Sequence, residues 1–522
     1  MLRIVRRGVV AIANFDDGLR AVISAARARS IGGGSLTAAD KPLSARPKFT
    51  RRAAKLTRAA QMLPLDKYLV FLSIVLHTFL PIRLALVTCA LVVTLLVSRA
   101  QRRMRAVKRK SQKLRVCFLH PDLGIGGAER LVVDAAVAAQ RRGHAVTIYT
   151  AHHDEARCFA ETRDGTLAVR LAGGWLPRSI GGRLHILCAT LRGVAGGAAL
   201  LWCEPECDVA VVDQVSAPVP LLRLLGLPTL FYCHFPDKLL AQKSSALRAA
   251  YRLPFDLYEE LSTGCASRVL VNSAFTASVY GAAFPLLRGV RGMLGDDEPD
   301  VLHPAIDPTR NPLLPPTARR DDAPLTLVSI NRFERKKNLR LAIEALALAR
   351  GGGGGGGGGG ANLELVLAGG WDARLAENVE YFAELQQAAA DLGVADAVRF
   401  ERNVSDEERG ALLAAASAVV YTPSLEHFGI VPLEAMAAGR PVVAVDDGGP
   451  KETVKHGATG WLCAAEPAAF AAAFASVAAK EKSGELRRMG EAARAHVTKS
   501  FSLDAFGEKL EGHLLAVARN KQ

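Results

Sequence analysis

From Leu114 onward, short apolar runs alternate with segments in which apolar residues return every three or four positions. LRVCFLH (114–120), HAVTIYT (144–150), DVAVVD, PTLFYC, RVLVN, LTLVSI (325–330) and NLELVLAGG are near-continuous apolar stretches, the pattern of strands buried on both faces of a parallel sheet. The intervening segments have a helical period. Leu131, Val132, Ala135 and Val137 share one face after a Gly-rich turn, and Leu339, Ile343 and Leu346 form a stripe in NLRLAIEALALAR, with Asn338 placed to cap it. Strand and helix in alternation predict an α/β protein with parallel sheets. Pro304, Pro308, Pro312, Pro315 and Pro316 forbid a helix between the two series. The expected organisation is a domain over 114–310, a linker over 311–324, a second domain over 325–500, and a last helix over 501–522. Gly351–Gly360 is a flexible surface insertion, since a glycine run has no side chains from which to build a core.

Charge and hydropathy change the picture at the N-terminus. The net charge of the 522 residues is +15, yet residues 1–113 hold 23 Lys and Arg against 4 Asp and Glu, a net of +19, so residues 114–522 carry −4. That removes the support for a nucleic-acid partner in the folded part. Residues 1–67 read as a basic, disordered arm, with a mitochondrial targeting peptide as the weaker alternative. Residues 68–98 are broken by only His77, Pro81 and Arg83, which predicts a membrane segment, given that about 20 apolar residues span a bilayer. The polybasic linker 99–113 that follows predicts that the folded part lies on the cytosolic side. Basic residues such as Arg51 and Lys67 also precede the segment, so a single span and a re-entrant hairpin both remain open. Nine cysteines, without a CxxC pair, read as buried reduced thiols rather than a disulfide frame or a zinc site.

Candidate chemistry gathers where strands end, because ligands of wound parallel sheets collect at the carboxyl ends of the strands. In the first series this selects Asp213 and Gln214, His234 and Asp237, and Asn272 and Ser273 beside a Gly124–Gly126–Gly127 loop that brings backbone N–H groups toward phosphate. The loop spacing is GxGG, and the next strand ends without the acid that binds an NAD ribose, which demotes an oxidoreductase. In the second series Arg332, Lys336 and Lys337 lie just past a strand, where cations suit a departing diphosphate. The richest stretch is SLEHFGIVPLEAMAAGRPVVAVDDGGPKETVKHGATG. It sets Glu426 and Glu434 on either side of a helix start, with Pro432 fitting the first helical position and the N–H groups around Gly429 free to meet an anion. Gly448, Gly449 and Pro450 repeat the device ahead of Glu452.

That stretch resembles the donor site of family 4 retaining glycosyltransferases, which have the GT-B fold of two Rossmann-like domains facing a cleft. HPDLGIGGAERLVVDAA, DQVSAPVPLLR, CHFPDKLL, INRFERKKNLRLAIEALA, GGWDARLAENVEYFAEL and EHFGIVPLEAMAAGRPVVA are similar, within that family, to the asparagine-linked-glycosylation alpha-1,3/alpha-1,6-mannosyltransferases. The resemblance implies transfer of mannose from GDP-mannose, with retention, to a dolichol-pyrophosphate-linked oligosaccharide at the endoplasmic reticulum membrane, in company with other enzymes of the pathway. It implies that Glu426 holds sugar hydroxyls and that the Phe428–Gly429–Ile430 backbone holds the sugar and β-phosphate. Glu434 would bind the ribose, Arg332 and Lys337 the diphosphate, Lys336 would assist them, His234 would sit by the sugar, and Gly126–Gly127 would approach the phosphates. No DxD triad occurs where a nucleotide-bound metal would sit, so no metal or cofactor is expected. Another sugar nucleotide or lipid acceptor on the same fold is the alternative, and an oxidoreductase or a non-catalytic membrane scaffold ranks lower. The basic arm and the glycine tract depart from the family pattern.

Overall fold

A computed structural model describes residues 113–241, 244–294, 298–307, 323–351 and 362–519. The arm, the membrane segment, nearly all of the polybasic run, the proline-rich linker and the glycine tract after Gly351 lie outside the described residues.

Two all-parallel sheets account for the apolar runs. The first has the order β3-β2-β1-β4-β5-β6-β7, formed by Arg115–His120 (β1), Ala145–Thr150 (β2), Ala168–Leu171 (β3), Val209–Asp213 (β4), Thr229–Cys233 (β5), Arg268–Val271 (β6) and Asp300–Val301 (β7). The second has the order β10-β9-β8-β11-β12-β13, from Leu325–Ile330 (β8), Leu363–Gly369 (β9), Val398–Arg402 (β10), Ala418–Tyr421 (β11), Val442–Val445 (β12) and Gly460–Cys463 (β13). In each sheet the chain starts in the middle, winds to one edge, and returns to build the other. The reversal leaves a crevice at the carboxyl ends of β1 and β4, and of β8 and β11.

Alternation along the strands sends successive side chains to opposite helical layers. In the first domain Phe118, Val211 and Leu230 pack on one face, while Leu119, Val212 and Phe231 pack on the other with Leu200 and Leu222. In the second, Leu327, Leu365 and Val443 meet Leu339, Ile343 and Phe474, and Val328, Val366 and Val419 meet Leu433, Met436 and Val497. The stripe Leu339, Ile343 and Leu346 is buried as its spacing requires.

The helix Gly127–Arg141 is buried along Leu131–Ala139, with Asp134 included, which is more than one apolar face explains. The last helix, Leu503–Arg519, crosses back to the first domain and covers it through Phe506, Leu510 and Leu514. Asp134 is held there by Arg130, which also reaches Glu161 at 3.0 Å. Asn338 differs from expectation. It occupies the N-cap position of Leu339–Arg350 in a left-handed conformation (φ 48°) and makes no side-chain cap bond. The cysteine reading also needs correction: Cys203 and Cys265 are exposed, while Cys117, Cys188, Cys207, Cys233 and Cys463 are buried.

Candidate active site

At the crevice of the first sheet, three side chains from three strand ends form a buried relay. Asp213 ends β4 and accepts hydrogen bonds from His120 Nδ1, at the end of β1, at 2.7 Å, and from His234 Nε2, just past β5, at 2.8 Å. Burial alone would depress the His120 imidazolium. The Asp213 hydrogen bond, with help from Glu129 and the charge of both carboxylates, outweighs it and raises the pKa to about 9. Burial likewise opposes ionisation of Asp213, but the charge of His234 and the bonds from both imidazoles bring it down to about 2. His120 is therefore a buried cation at neutral pH, and Asp213 its counter-ion. Glu129 lies 4.0 Å from His120 Nε2 and is held below the usual carboxylate range mainly by that histidine. It belongs to the first turn of the helix that Gly126 opens. Beside the relay is a cavity of about 300 Å³ walled by Ala189, Gly193 and Gly196 of one helix and by Arg178 and Arg192. Both arginines pair with Asp122, at 3.4 and 3.0 Å.

The second sheet supplies the opposite wall. Past β8, the loop carrying Arg332, Lys336 and Lys337 is tied down by Thr422, which donates to the Lys337 carbonyl at 2.7 Å. Lys337 Nζ bonds Glu426 at 2.6 Å, and only 13% of its side chain is exposed. Arg332 and Lys336 are open to solvent and share Glu334. The helix after Gly429 runs Ile430–Ala437, so Pro432 is its third residue rather than its first, and Glu434 lies in the second turn. Pro432 still falls among the N–H positions that have no intrahelical acceptor, so it costs no bond. Gly429 itself takes φ +78°, and a Cβ there would lie 3.1 Å from the Tyr421 ring. Glu434 pairs with Arg409.

Gly449 caps the helix Pro450–Thr453, the second Gly-opened helix start expected, and Gly448 and Gly449 also tie two loops together. Gly449 donates its N–H to the Glu426 carbonyl at 2.9 Å, and a Cβ on it would fall 2.1 Å from the Phe428 carbonyl oxygen. Asp447 accepts from Leu425 N at 3.0 Å and Gly448 N at 2.8 Å. These contacts press one loop onto the other and fix the backbone that carries Glu426 and Phe428.

Of the residues expected at the cleft, Glu452 and Ser273 bond across the seam between the domains. Glu452 accepts from the backbone N–H of Ala274 (2.8 Å) and Phe275 (3.0 Å), at the start of the first domain's helix Ala274–Ala283, and from His303 at 2.9 Å. Although burial opposes it, these bonds hold Glu452 below the usual carboxylate range. Ser273 donates to the His427 carbonyl across the seam, and Asn272 donates to the His234 carbonyl at 3.1 Å. Asp237 is engaged by Arg252 at 2.7 Å, and Gln214 is exposed in a left-handed turn (φ 60°). The Phe235 and His427 rings stack 3.8 Å apart and 7° from parallel. His234 and Glu426 are each one residue from that stack, which joins the loop after β5 to the loop that carries Glu426.

The two sheets match two family models: residues 125–309 match "Glycosyltransferase Family 4" and residues 314–496 match "Glycosyl transferases group 1". Alpha-1,3/1,6-mannosyltransferase ALG2 of Homo sapiens is 46% identical over 404 residues, covering 76% of this chain and 94% of its own. The protein of that name from Rhizomucor pusillus is 45% identical over 436 residues, covering 78% and 92%. The chain belongs to the alpha-1,3/1,6-mannosyltransferase family. A Rickettsia africae glycosyltransferase shares the fold with a TM-score of 0.58 at 16% identity, covering 78% of this chain and all of that one. Starch synthase IV of Arabidopsis thaliana does so at 0.57 and 15%, covering 78% and 100%.

This mannosyltransferase thus has the two Rossmann-like domains of a GT-B enzyme, with His234 bonded to Asp213 on one and Lys337 to Glu426 on the other, while Ser273 and Glu452 bond across the seam. His120 and Glu129 escaped the sequence reading. The signal for His120 was available, since it ends an apolar strand just as Asp213 does. Arg409 and His427 had none, because only folding sets them against Glu434 and Phe235.

Proposed function

We propose that the chain transfers mannose from GDP-mannose, with retention, to a dolichol-pyrophosphate-linked oligosaccharide in alpha-1,3 and then alpha-1,6 linkage, at the cytosolic face of the endoplasmic reticulum membrane. The observation that supports this reading is the match of both domains to the alpha-1,3/1,6-mannosyltransferases, with the Phe235–His427 stack joining the loops that carry His234 and Glu426. On the donor side, Lys337, Arg332 and Lys336 would balance the charge that gathers on the departing diphosphate, with the N–H groups of the helix start after Gly429. Glu426, freed in part from Lys337, would hold sugar hydroxyls, and Glu434, presently engaged by Arg409, would receive the ribose. Gly127 suits close approach of a phosphate, because a Cβ there would meet nothing within 4 Å. On the acceptor side, Asp213 holds the His234 ring in one orientation toward the sugar, and the cavity beside His120 offers cations and small side chains to the acceptor.

No metal enters this account, in which the chain's own cations would balance the charge that develops. The test is incubation of the full chain in vesicles with GDP-mannose and a lipid-linked trisaccharide, with linkage analysis of the product and a parallel reaction in EDTA. Two successive mannoses in alpha-1,3 and alpha-1,6 linkage, formed equally well in EDTA, are expected. Transfer from UDP-sugars in preference, or activity lost to EDTA and restored by Mg²⁺, would overturn the donor or the metal-free reading respectively.

A further inference from the structure

The helix Ala246–Gly264 has its polarity reversed for a helix of a soluble domain. Its buried residues are Asp256, Glu260, Ser262 and Thr263, whereas Leu247, Leu253, Leu257 and Leu261 are exposed at 83, 68, 45 and 51%. Helices normally turn leucines to the core and acids to water. The inward acids have definite partners. Glu259 accepts from the backbone N–H of Asp237 (2.7 Å) and Lys238 (3.0 Å), and Glu260 from those of Leu286 (2.6 Å) and Leu287 (3.2 Å). The two glutamates thus satisfy N–H groups at the starts of the helices Asp237–Leu240 and Pro285–Leu294. That commits one face of the helix to polar work inside the domain and leaves the leucines outside.

The apolar face continues beyond the helix. Leu239 and Leu240, just after the His234 loop, are 51 and 60% exposed, and Leu286 is 52% exposed. Arg248 and Arg288 are the exposed charged residues of these segments among the described residues, while every acid there is at least half-buried. The neighbouring short helix Val219–Leu224 adds exposed Leu224 beside Arg223. These leucines lie on helices that pack against Ala246–Gly264, with Arg223, Arg248 and Arg288 exposed among them and Asp237, paired to Arg252, the partly exposed acid, which is unlike the scattered apolar residues of ordinary surfaces. A bilayer with anionic headgroups requires apolar area plus cations, and these are present.

We propose that the outward face of Ala246–Gly264, together with Leu239, Leu240 and Leu286, is a membrane-docking surface that beds into the headgroup layer of an anionic bilayer and brings the His234 loop to the lipid surface. It deepens the membrane reading above by placing the contact on the folded domain itself, apart from residues 68–98. The docked face explains why a lipid-linked acceptor could reach the relay without leaving its membrane.

The test uses the full chain with Cys89, Cys158, Cys203 and Cys265 replaced by Ser, and with a bimane fluorophore on Leu257→Cys or, as control, on Leu348→Cys. Leu348 is equally exposed, at 44% against 45%, but lies on the second domain. With phosphatidylcholine vesicles containing phosphatidylserine, the label at position 257 should be quenched at least threefold more by nitroxide-labelled lipid than the label at 348, and shielded from iodide. Leu253→Glu with Leu257→Glu should remove that contact and lower transfer to the lipid-linked acceptor at least tenfold, while GDP-mannose binding stays unchanged. Equal quenching at the two positions overturns the proposal, as does shielding of position 257 that appears only when a soluble protein is added. The fluorescence readout needs no turnover, so a failure of the transferase reading would leave it standing, and the converse holds as well.

Discussion

Replacing Asp213 by Asn tests whether the relay at the first sheet is a charge pair or merely a set of hydrogen bonds. Asp213 is 2% exposed and is bonded by both His120 and His234. The rise of His120 from 6.5 to about 9 corresponds to roughly 3 kcal/mol of tighter proton binding in the folded state. Because the folded value is the higher one, that stabilisation is complete below pH 6.5 and disappears as the pH rises through 9. The depressed Asp213 acts in the opposite direction: its contribution is complete above 3.8 and is lost as the pH falls toward 2. Asp213→Asn leaves a buried imidazolium with only Glu129 for company, so the variant should be less stable than the parent by roughly 3 kcal/mol at pH 6. The gap should close as both proteins are taken to pH 9.5. Turnover should also fall about a hundredfold, since Asn keeps one acceptor oxygen where His120 and His234 use two and cannot hold both rings. Thermal or urea unfolding from pH 5.5 to 9.5 measures the first effect and initial rates under saturating donor the second. A stability difference that stays constant across that range would refute the charge pair, and His120→Gln should show the same pH dependence if the pairing is as described.

Lys337→Ala should lower kcat by about tenfold to a thousandfold and strand Glu426, whereas Arg332→Ala, at a site 65% exposed, should lower kcat with little change in stability; steady-state kinetics and melting of both variants separate the cases, and undiminished kcat in either would remove that residue from the diphosphate site. Gly449→Ala should prevent folding or abolish activity, because its Cβ would strike the Phe428 backbone, while Gly127→Ala should melt like the parent and weaken GDP-mannose binding, as calorimetric titration would reveal. Glu452→Ala should cost about 2 kcal/mol, through loss of the bonds to Ala274, Phe275 and His303, with Glu452→Gln costing less because it keeps an acceptor; unfolding midpoints decide, and an unchanged midpoint would show that the seam does not depend on this residue.

The apolar runs by themselves fixed the two parallel sheets, since a strand buried on both faces has to be apolar throughout, and the stripe Leu339, Ile343 and Leu346 fell where its period put it. The strand ends likewise exposed Asp213, His234 and Lys337 to a reader of the sequence, because the carboxyl end of a parallel strand is a fixed address in a wound sheet. Tertiary structure decided the rest. Whether a polar residue near that address faces ligand or seals a domain seam depends on the other domain, which is why Glu452 and Ser273 turned out to bind Ala274–Phe275 and His427. The glycines of the Asp447–Gly449 turn answer to a backbone roughly twenty residues earlier, and Arg409 meets Glu434 only once two helices pack. The leucines of Ala246–Gly264 would read as core by periodicity alone. Their outward turn follows from two glutamates whose obligation to helix N–H groups is visible only in the folded chain.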